Sequence, residues 1–353
     1  MFNRHSFFTR AWAFEWGAQV FCFSDKPDAL RLAWPGWMST LLRMNSLFSI
    51  LSKRSIVTLA AIGLSTVAAS ADGRINVLVW DEQQPVPKKV YPNFPGNHIA
   101  DYLKRNPRLN VTSANINQPE QGLSTKALNE ADVLIYWGHV RHRDISEAKS
   151  QEIVDLVKAG KLDFVVLHSA HWSVPFMVAM QEVAAEDALA QLPEKLRAQV
   201  DVRYKGELGW HMPKADARPH QMHEFHRGDD GQIQLLVERP NCVFPRCCTP
   251  AQPSQVRIIN KKHPITQGVP STFTIPETEM YDEPFHVPTP DEVILDETWK
   301  GGEYFRTGAL WKLGQGTVFY FRPGDQQYAV YKVGPVLKIL ENAAIWLGAK
   351  ANH

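Results

Sequence analysis

The 353-residue sequence has none of the short motifs that mark the common nucleotide-binding and hydrolase folds. A G-x-S-x-G elbow, a G-x-x-x-x-G-K-S/T loop and a G-x-G-x-x-G turn are all absent from it. Each of these motifs supplies the backbone geometry that its chemistry requires. Nucleotide binding and ordinary α/β-hydrolase catalysis therefore have no support from the sequence.

An excess of charge of one sign is also lacking. The formal net charge is +1, and no run of basic residues occurs. We therefore do not expect a nucleic-acid partner, because proteins that bind nucleic acids usually carry a basic patch or stripe. With 44% hydrophobic and 21% charged residues, the composition is that of an ordinary globular protein.

The N-terminal part contains no apolar run that is long enough to cross a bilayer. The candidate, residues 56–69, has 14 residues, whereas a membrane-spanning helix needs roughly 20. It lies between the basic pair Lys53-Arg54 and the A-x-A sequence Ala69-Ser70-Ala71, which is the order of parts in a secretory signal peptide. We expect a signal peptide over residues 44–71, cleavage after Ala71, a periplasmic or secreted mature protein and no stable membrane span.

Residues 1–43 resemble neither a signal peptide nor a domain, and their four tryptophans follow no period. Because Met44 directly precedes the signal, the simplest interpretation is that translation starts there. Residues 1–43 would then be a non-native or disordered extension. Residues 72–350 would form the folded part, in which no linker is long enough to separate two domains.

Cysteine is scarce in the predicted mature chain. Its three cysteines are Cys242, Cys247 and Cys248, and the paired C-x-x-C spacing of a zinc cluster is absent. In an exported protein, Cys242 could form a disulfide with either of the other two and close the loop 241–249. The alternative is that all three are ordinary loop residues, and the spacing leaves both interpretations open.

The first half of the mature chain alternates regularly between strand and helix patterns. Apolar, β-branched runs predict strands at 74–80, 111–116, 132–137 and 163–168. Helical patterns separate these runs, and a helix over 146–159 has the clearest periodicity. The alternation predicts an α/β fold with a mainly parallel sheet, right-handed crossovers and helices on both faces.

The second half is richer in short strands. A helix over 173–198 leads into it, a loop covers 264–276 and an amphipathic helix over 333–347 closes the fold. The strands predicted here are 233–237, 256–259, 292–299, 309–312 and 317–321. We therefore expect one domain with an elaborated, β-rich second half.

Two His-x-x-His pairs directly follow predicted strands. His139 and His142 come after the third predicted strand, and His168 and His171 come after the fourth. Because parallel strands end at one edge of the sheet, where α/β proteins bind ligands, we expect these imidazoles to lie close together. Imidazole transfers protons near neutral pH and is the commonest metal ligand, although any one of the four could be structural.

A second group of ionisable residues lies in the loop 277–286, where Glu279 and Glu283 occur among apolar residues. A carboxylate that faces an imidazole would fix the ring tautomer, act as general acid or base, or complete a metal shell. The alternative is a solvated loop without a function. The turn 322–325, after the last predicted strand, could direct side chains into the same cleft.

Six motifs in order are similar to those of the ThuA-like, or trehalose-utilisation, family. They extend over about residues 74–347 and read W-G-H-x-x-H (137–142), L-H-S-x-H-x-S (167–173), H-P-I-x-x-G (263–268), E-M-Y-x-E-P-F (279–285), G-G-E-x-F-R (301–306) and F-Y-F-R-P-G (319–324). The resemblance implies a class I glutamine-amidotransferase-like fold, that is, a flavodoxin-like doubly wound sheet. It also implies a link to bacterial disaccharide catabolism.

The chain departs from the wider fold at His168 and from the family in the turn that follows Arg322. The amidotransferases of this fold carry a nucleophilic cysteine in a strand-to-helix elbow, where His168 stands here, so the resemblance does not imply glutamine hydrolysis. Ser169 is an alternative nucleophile, but it has no evident base. The family often has Arg-Pro-Gly-His-Glu where this chain has Arg322-Pro-Gly-Asp325-Gln326. This difference weakens the expectation of a ligand role for that turn.

Residues and resemblance together predict an exported carbohydrate-utilisation protein. It would act on a disaccharide such as trehalose, or on a keto-sugar derivative, as a hydrolase, lyase or isomerase. The alternative is a non-catalytic sugar-binding or accessory protein of carbohydrate catabolism. The expected catalytic residues are His139, His168, His171, Glu279 and Glu283.

A small carbohydrate is the expected partner, and aromatic faces could stack on its rings. The expected substrate contacts are Trp80, His98, Trp137, Ser169, Trp172, Tyr281 and Arg322. No cofactor is implied with certainty, but one divalent metal such as zinc would fit the donor set His139, His142, His171 and Glu279. The sequence leaves the oligomeric state open, a homo-oligomer included.

Overall fold

The computed structural model describes residues 73–84, 90–209, 223–228, 231–247 and 251–350. The predicted extension and signal peptide, residues 1–71, lie outside the described residues. Within the described ranges, no helix combines the length and the apolar character that crossing a membrane would require.

A nine-stranded sheet forms the centre of the fold, and five of its strands are parallel neighbours. In spatial order these five are β2 (Leu109–Asn115), β1 (Ile75–Asp81), β3 (Val133–Trp137), β4 (Asp163–Leu167) and β14 (Gly316–Phe321). Counted along the parallel strands this is the order 2-1-3-4-5, which defines the flavodoxin-like sheet. The predicted α/β class and the parallel pairing of strands 74–80, 132–137 and 163–168 are confirmed.

Helices cover both faces of this sheet. One face packs on α1 (Pro95–Leu103) and α6 (Gly334–Lys350), and the other on α2 (Thr125–Glu130), α3 (Glu147–Lys158) and α4 (Val174–Ala190). All five residues of β3 and of β4 are buried, because helices lie on either side of them. This burial explains why both strands appear in the sequence as continuous apolar runs rather than as alternating patterns.

Four antiparallel strands extend the sheet beyond β14. In spatial order they are β13 (Tyr304–Leu313), β12 (Glu292–Trp299), β9 (Gln252–Ile258) and the edge strand β10 (Thr272–Thr278). The prediction of a loop over 264–276 is wrong for its last part, which belongs to β10. Pro276 suggested a loop, but an edge strand with a register shift, as here between Ile275 and Thr278, accommodates proline.

The predicted helix 173–198 is two helices, because Pro193 interrupts it. The long helix α4 ends at Ala190, and a single turn, α5 (Glu194–Arg197), follows Pro193. A small three-stranded sheet comes next, with the spatial order β5 (Asp201–Lys205), β7 (Ile233–Glu238) and β6 (His223–Arg227). A separate two-stranded sheet pairs β8 (Arg246–Cys247) with β11 (Tyr281–Asp282). Neither β5 nor β6 was predicted, since both are short and largely polar.

The cysteines do not pair as one interpretation suggested. Cys242 is a free thiol, fully buried in the larger hydrophobic core, so the predicted disulfide from Cys242 is wrong. Cys247 is disulfide-bonded, and Cys248 lies outside the described residues. Burial raises the pKa of the Cys242 thiol well above its ordinary value, so this residue serves as a packed core side chain.

Candidate functional site

The carboxyl end of β4 turns sharply into α4. A single 3-10 turn, His168–Trp172, separates the two elements, and the Ser173 side chain caps α4 by accepting a hydrogen bond from the Phe176 amide. His168 begins the turn with a φ of 53°, a left-handed conformation that is uncommon outside glycine. Residues held in such conformations cluster at functional sites, where the surrounding structure compensates for their cost.

Four ionisable side chains meet above this turn. The Nε2 atom of His168 lies 3.6 Å from Oε2 of Glu279 and 3.7 Å from Oδ2 of Asp325. His139 completes the group, and one donor atom from each of the four residues lies within 4.8 Å of the other three. We call these four residues the edge cluster, because it lies at the carboxyl edge of the parallel strands.

Separate elements bring these side chains together. His139 follows β3, His168 follows β4 and Asp325 follows β14, whereas Glu279 lies between β10 and β11. The loop after β3 is held by Glu82, whose carboxylate accepts hydrogen bonds from the amides of Val140 (2.9 Å) and Arg141 (2.7 Å). The site is therefore assembled by the strand order rather than by one local motif.

Arg322 positions Glu279 from below. Its guanidinium forms a bidentate pair with Glu297, and it also donates to the Thr278 hydroxyl (2.9 Å) and to the Glu279 carbonyl oxygen (3.1 Å). Because the Arg322 side chain is fully buried and bonded to these acceptors, it supports the site and is not exposed to a ligand.

Gly324 shapes the turn that carries Asp325. Its φ is 151°, and a Cβ atom there would lie 1.9 Å from the Tyr331 hydroxyl and 3.2 Å from Cβ of His168. No side chain other than hydrogen fits that space. The carbonyl oxygen of Gly324 also accepts a hydrogen bond of 2.7 Å from the indole nitrogen of Trp137.

Burial controls the protonation of the edge cluster. It lowers the pKa of His168 well below its ordinary value near 6.5, so this imidazole is neutral. Burial, with the Asp325 carboxylate nearby, raises the pKa of Glu279 to about 7. Burial also raises the pKa of Asp325. Two buried carboxylates this close do not both ionise readily without a proton or a cation between them.

Two atoms of the edge cluster lack a hydrogen-bond partner. They are Nε2 of His168 and Oδ2 of Asp325, on side chains that are 0% and 1% exposed. The other polar atoms of these side chains are used. Nδ1 of His168 lies 3.4 Å from the Tyr281 hydroxyl, and Oδ1 of Asp325 accepts a hydrogen bond from the Gln327 amide. Buried unpaired polar atoms are rare and point to a ligand, a water or an ion.

His171 and Glu283 lie apart from this arrangement. Nδ1 of His171 donates a hydrogen bond of 2.5 Å to the Cys242 carbonyl oxygen, and burial among aromatic rings lowers the pKa of His171 to about 3. Glu283 forms a bidentate pair with Arg306, with Oε1 2.8 Å from Nε and Oε2 3.0 Å from Nη2. Both residues are engaged in holding the loop 277–286 and its neighbours.

The residues expected to contact a substrate divide into two groups. Trp137 and Tyr281 flank the edge cluster, with ring centroids 6.4 and 6.0 Å from that of His168 and planes nearly parallel to it. Ser169 reaches the Tyr281 hydroxyl at 3.0 Å. Trp80, by contrast, is fully buried and stacks on Tyr136 at 4.2 Å.

The remaining candidates lie further from the edge cluster. Nε2 of His98 lies 3.0 Å from the Tyr331 carbonyl oxygen, and the half-buried Trp172 lies beneath the Arg143 guanidinium. The backbone of His142 begins a short 3-10 turn, but its side chain lies outside the described part of the structure.

Sequence reasoning missed Asp325 as a member of the cluster. The sequence does contain a signal for Asp325, because the turn after the last parallel strand is predicted to direct side chains towards the same site. The difference from the His-Glu pair that the family often has there argues, on sequence alone, against a ligand role for the turn. Asp325 supplies a carboxylate where the family often has a histidine imidazole. The ionisable group therefore differs from the family's, but the residue at this position still belongs to the edge cluster.

Fold and geometry together define a class: a flavodoxin-like α/β protein with a buried imidazole–carboxylate centre at the carboxyl ends of its strands. The model of the ThuA family, described as trehalose utilisation, matches residues 76–347. The chain belongs to this family. The family assignment agrees with the resemblance of the six motifs.

Several solved structures are similar to this chain. ThuA-like proteins from Parabacteroides merdae and Bacteroides uniformis show 12% and 15% identity and TM-scores of 0.48 and 0.45. Both matches cover 78% of this chain, and they cover 90% and 91% of the respective neighbours. A candidate GMP synthase component from Thermoplasma acidophilum matches at 11% identity with a TM-score of 0.32, covering 78% of this chain and 94% of its own. No curated protein matches the chain.

Proposed function

We propose that the chain is an enzyme of carbohydrate utilisation that transfers protons on a disaccharide such as trehalose, or on a keto derivative of one, at the edge cluster. The observation that supports this most directly is the position of the His168 Nε2 atom, 3.6 and 3.7 Å from the carboxylates of Glu279 and Asp325. Carboxylates held this close in a buried site share a proton, which gives one acid and one base in a single site.

Glu279 is the better candidate for the base. Its side chain is 16% exposed, compared with 1% for Asp325, so Glu279 is the carboxylate that a sugar can reach more easily. A pKa of about 7 also suits a base that works near neutral pH. Asp325 and the neutral His168 would then face the sugar oxygen that becomes charged during the reaction.

A keto-sugar suits this arrangement better than an ordinary glycoside does. The donor atoms of Glu279 and Asp325 lie within 4.8 Å of each other. Inverting glycosidases instead hold their carboxylates roughly 6.5–9.5 Å apart, with a water between them. Retaining glycosidases hold them roughly 5–5.5 Å apart but on either side of the scissile bond, whereas Glu279 and Asp325 converge on the single Nε2 atom of His168. A ketone makes the neighbouring C–H bond acidic, so Glu279 can remove that proton while the electron pair moves towards the ketone oxygen, which takes a proton from Asp325. Glu279 then delivers its proton to the former carbonyl carbon while the hydroxyl on the neighbouring carbon returns a proton to Asp325. The carbonyl group has then moved by one carbon, and both carboxyl groups are back in their starting states.

The test is turnover of trehalose, other disaccharides and their 3-keto forms by the purified protein, with products identified by NMR. Glu279→Gln should lower kcat at least about 100-fold, because it removes the base but keeps the shape. Glu277→Gln is the matched control, since Glu277 is exposed and lies two residues away. Equal activity of the two variants would contradict the role given to Glu279.

The second candidate function is sugar binding without turnover. It is favoured by the hydrogen-bonding capacity of the edge cluster and by the aromatic rings of Trp137 and Tyr281 beside it. Saturable binding of a sugar in calorimetry, with no product after prolonged incubation, would establish this function and exclude the enzyme. Absence of binding to every sugar would overturn both.

We also propose that the protein is exported after cleavage of the signal peptide over residues 44–71. The proposal is supported by the order of basic pair, apolar run and A-x-A site in the sequence. N-terminal sequencing of the native protein should give Asp72 as the first residue. A native N-terminus upstream of Asp72 would contradict export by this route.

A further inference from the structure

We propose that His139, His168 and Asp325 bind one divalent transition-metal ion. The inference deepens the proposed function and depends on it for a biological purpose, although metal binding itself can be measured without any sugar. Two imidazoles and one carboxylate form a donor set that transition metals such as zinc and iron(II) favour.

The distances in the edge cluster suit a shared ion better than direct hydrogen bonds. A nitrogen and an oxygen that are hydrogen-bonded lie about 2.7–3.2 Å apart, whereas Nε2 of His168 lies 3.7 Å from Oδ2 of Asp325. Two ligands at about 2.0–2.2 Å from a tetrahedral ion lie roughly 3.3–3.6 Å from each other. A shift of a few tenths of an ångström would therefore bring these two atoms into coordination distance.

The two unpartnered atoms are the second observation. Nε2 of His168 and Oδ2 of Asp325 are buried, lack hydrogen-bond partners and face each other. Leaving a buried polar atom unpaired destabilises the folded state. A metal ion between the two atoms would satisfy both of them, which a packed apolar group could not do.

Each proposed ligand is held through its other polar atom. Nδ1 of His139 lies 3.1 Å from the side-chain oxygens of both Gln84 and Gln326. A proton on Nδ1 would be hydrogen-bonded there and would leave the lone pair of Nε2 for the metal. The Nδ1 atom of His168 can donate to the Tyr281 hydroxyl, and the Gln327 amide holds Oδ1 of Asp325. Outer contacts of this kind orient metal ligands and fix the tautomers of ligating histidines.

Glu279 is the fourth residue of the edge cluster and is not one of the three proposed ligands. It is the more exposed of the two carboxylates, and three protein ligands with one further position are typical of catalytic zinc sites. We therefore assign Glu279 to proton transfer and leave the fourth position to the substrate oxygen. With the ion bound, Asp325 would be an ionised ligand rather than a proton donor. The ion would then take over the role of the Asp325 proton and stabilise negative charge on the substrate oxygen as a Lewis acid.

The experiment measures zinc content and zinc affinity of the chelator-stripped protein, by elemental analysis and by isothermal titration with ZnCl₂. The wild type should bind one equivalent, and Asp325→Asn should weaken the affinity at least about 100-fold. Glu279→Gln should keep one equivalent within about tenfold of the wild-type affinity. His226→Ala is the control for surface histidines, since His226 is exposed, and it should bind as the wild type does.

The outcomes separate this inference from the proposed function. Less than about 0.2 equivalents of zinc on the folded wild type, or equal affinity for the wild type and Asp325→Asn, would overturn the metal site even if sugar turnover is found. One equivalent lost in Asp325→Asn, together with no turnover of any sugar, would support the metal site and contradict the enzyme. Loss of zinc in Glu279→Gln would overturn the three-ligand assignment.

Folding of the variants needs its own readout. Circular dichroism and the melting temperature of each zinc-free variant should match those of the zinc-free wild type within a few degrees. Zinc at 100 times its dissociation constant should stabilise the wild type by about 2.7 kcal/mol, since a ligand that binds only the folded state shifts unfolding by mass action. Asp325→Asn should show no such shift at the same zinc concentration.

Discussion

Arg322 and Glu297 form a bidentate ion pair in which neither side chain reaches solvent, with both N···O distances at 2.6 Å. The hydroxyls of Ser254 and Thr307 also donate to the Glu297 carboxylate. The same guanidinium holds the carbonyl oxygen of Glu279, so a buried charge pair supports one wall of the edge cluster.

Glu297→Gln is expected to destabilise the protein by about 3–5 kcal/mol, because it leaves the Arg322 charge buried without its counterion. Urea unfolding monitored by fluorescence would measure this cost. Asp101→Asn is the control, since Asp101 pairs with Lys104 on the surface and its loss should cost less than about 1 kcal/mol. Similar costs for the two variants would show that the buried pair contributes no more than a solvated one.

Gly324→Ala tests the space beneath the Asp325 turn. We expect a loss of about 2–5 kcal/mol, because the backbone conformation is strained for alanine and the new Cβ atom meets the Tyr331 hydroxyl. Gly302→Ala isolates the first effect, since Gly302 has a φ of 94° and no atom lies within 4 Å of its Cβ position. Denaturant unfolding of both variants would show the contribution of the collision, and equal losses would contradict it.

The pH dependence of stability should reveal the buried carboxyl of Asp163. Burial raises the pKa of Asp163 from 3.8 to about 7 in the folded protein, although the Thr317 amide donates to its carboxylate. The neutral carboxyl therefore stabilises the fold fully below about pH 4, and this contribution is lost as the pH rises towards 7. Asp163→Asn keeps the hydrogen-bond acceptor and removes the titration.

The measured quantity is the difference in unfolding free energy between the wild type and Asp163→Asn from pH 4 to pH 8. The wild type should lose stability relative to the variant by up to about 1.4 kcal/mol per pH unit until about pH 7. The difference between the two proteins is used because His168 and His171 change stability with pH in the opposite direction. Burial lowers the pKa of both histidines in the folded protein, so the wild type and the variant both lose stability as the pH falls and these histidines are protonated in the unfolded chain. A constant difference across this range would contradict the raised pKa.

The parallel half of the fold could be predicted because its signals are local. β3 and β4 are buried on both faces and therefore stand out as apolar runs, and their order follows from the short crossovers between them. The second half was harder. β10 contains Pro276 and forms a strand because it pairs with β9. No local sequence pattern identifies this pairing.

The site, like the fold, has a part that local sequence patterns predict and a part that depends on distant residues. The strand ends identified His139 and His168, and the loop 277–286 identified Glu279. The spacing of His168 and His171 could not show which imidazole faces the edge cluster, since this depends on the left-handed turn at His168. The aromatic residues that enclose His171 come from distant parts of the chain, Phe244, Tyr281, Phe285 and Tyr320. Asp325 enters the cluster only through the pairing of β14 with β4.

Ser169 provides the last prediction, because a serine enzyme is the principal chemical alternative. The Ser169 hydroxyl lies 3.0 Å from the Tyr281 hydroxyl. Burial raises the pKa of Tyr281 well above its ordinary value near 10, so this phenol keeps its proton and cannot serve as a base at neutral pH. A serine without a base is a weak nucleophile.

Ser169→Ala is therefore expected to lower kcat by no more than about tenfold, through the loss of one hydrogen bond to Tyr281. Asp325→Asn should lower kcat at least about 100-fold, because it removes a group that faces the reacting oxygen. Steady-state kinetics on the sugar identified by the turnover screen would compare the two. Mass spectrometry of the acid-quenched reaction should find no sugar adduct on the peptide that contains Ser169. An adduct there, together with loss of activity in Ser169→Ala and full activity in Asp325→Asn, would replace the imidazole–carboxylate mechanism with covalent catalysis by serine.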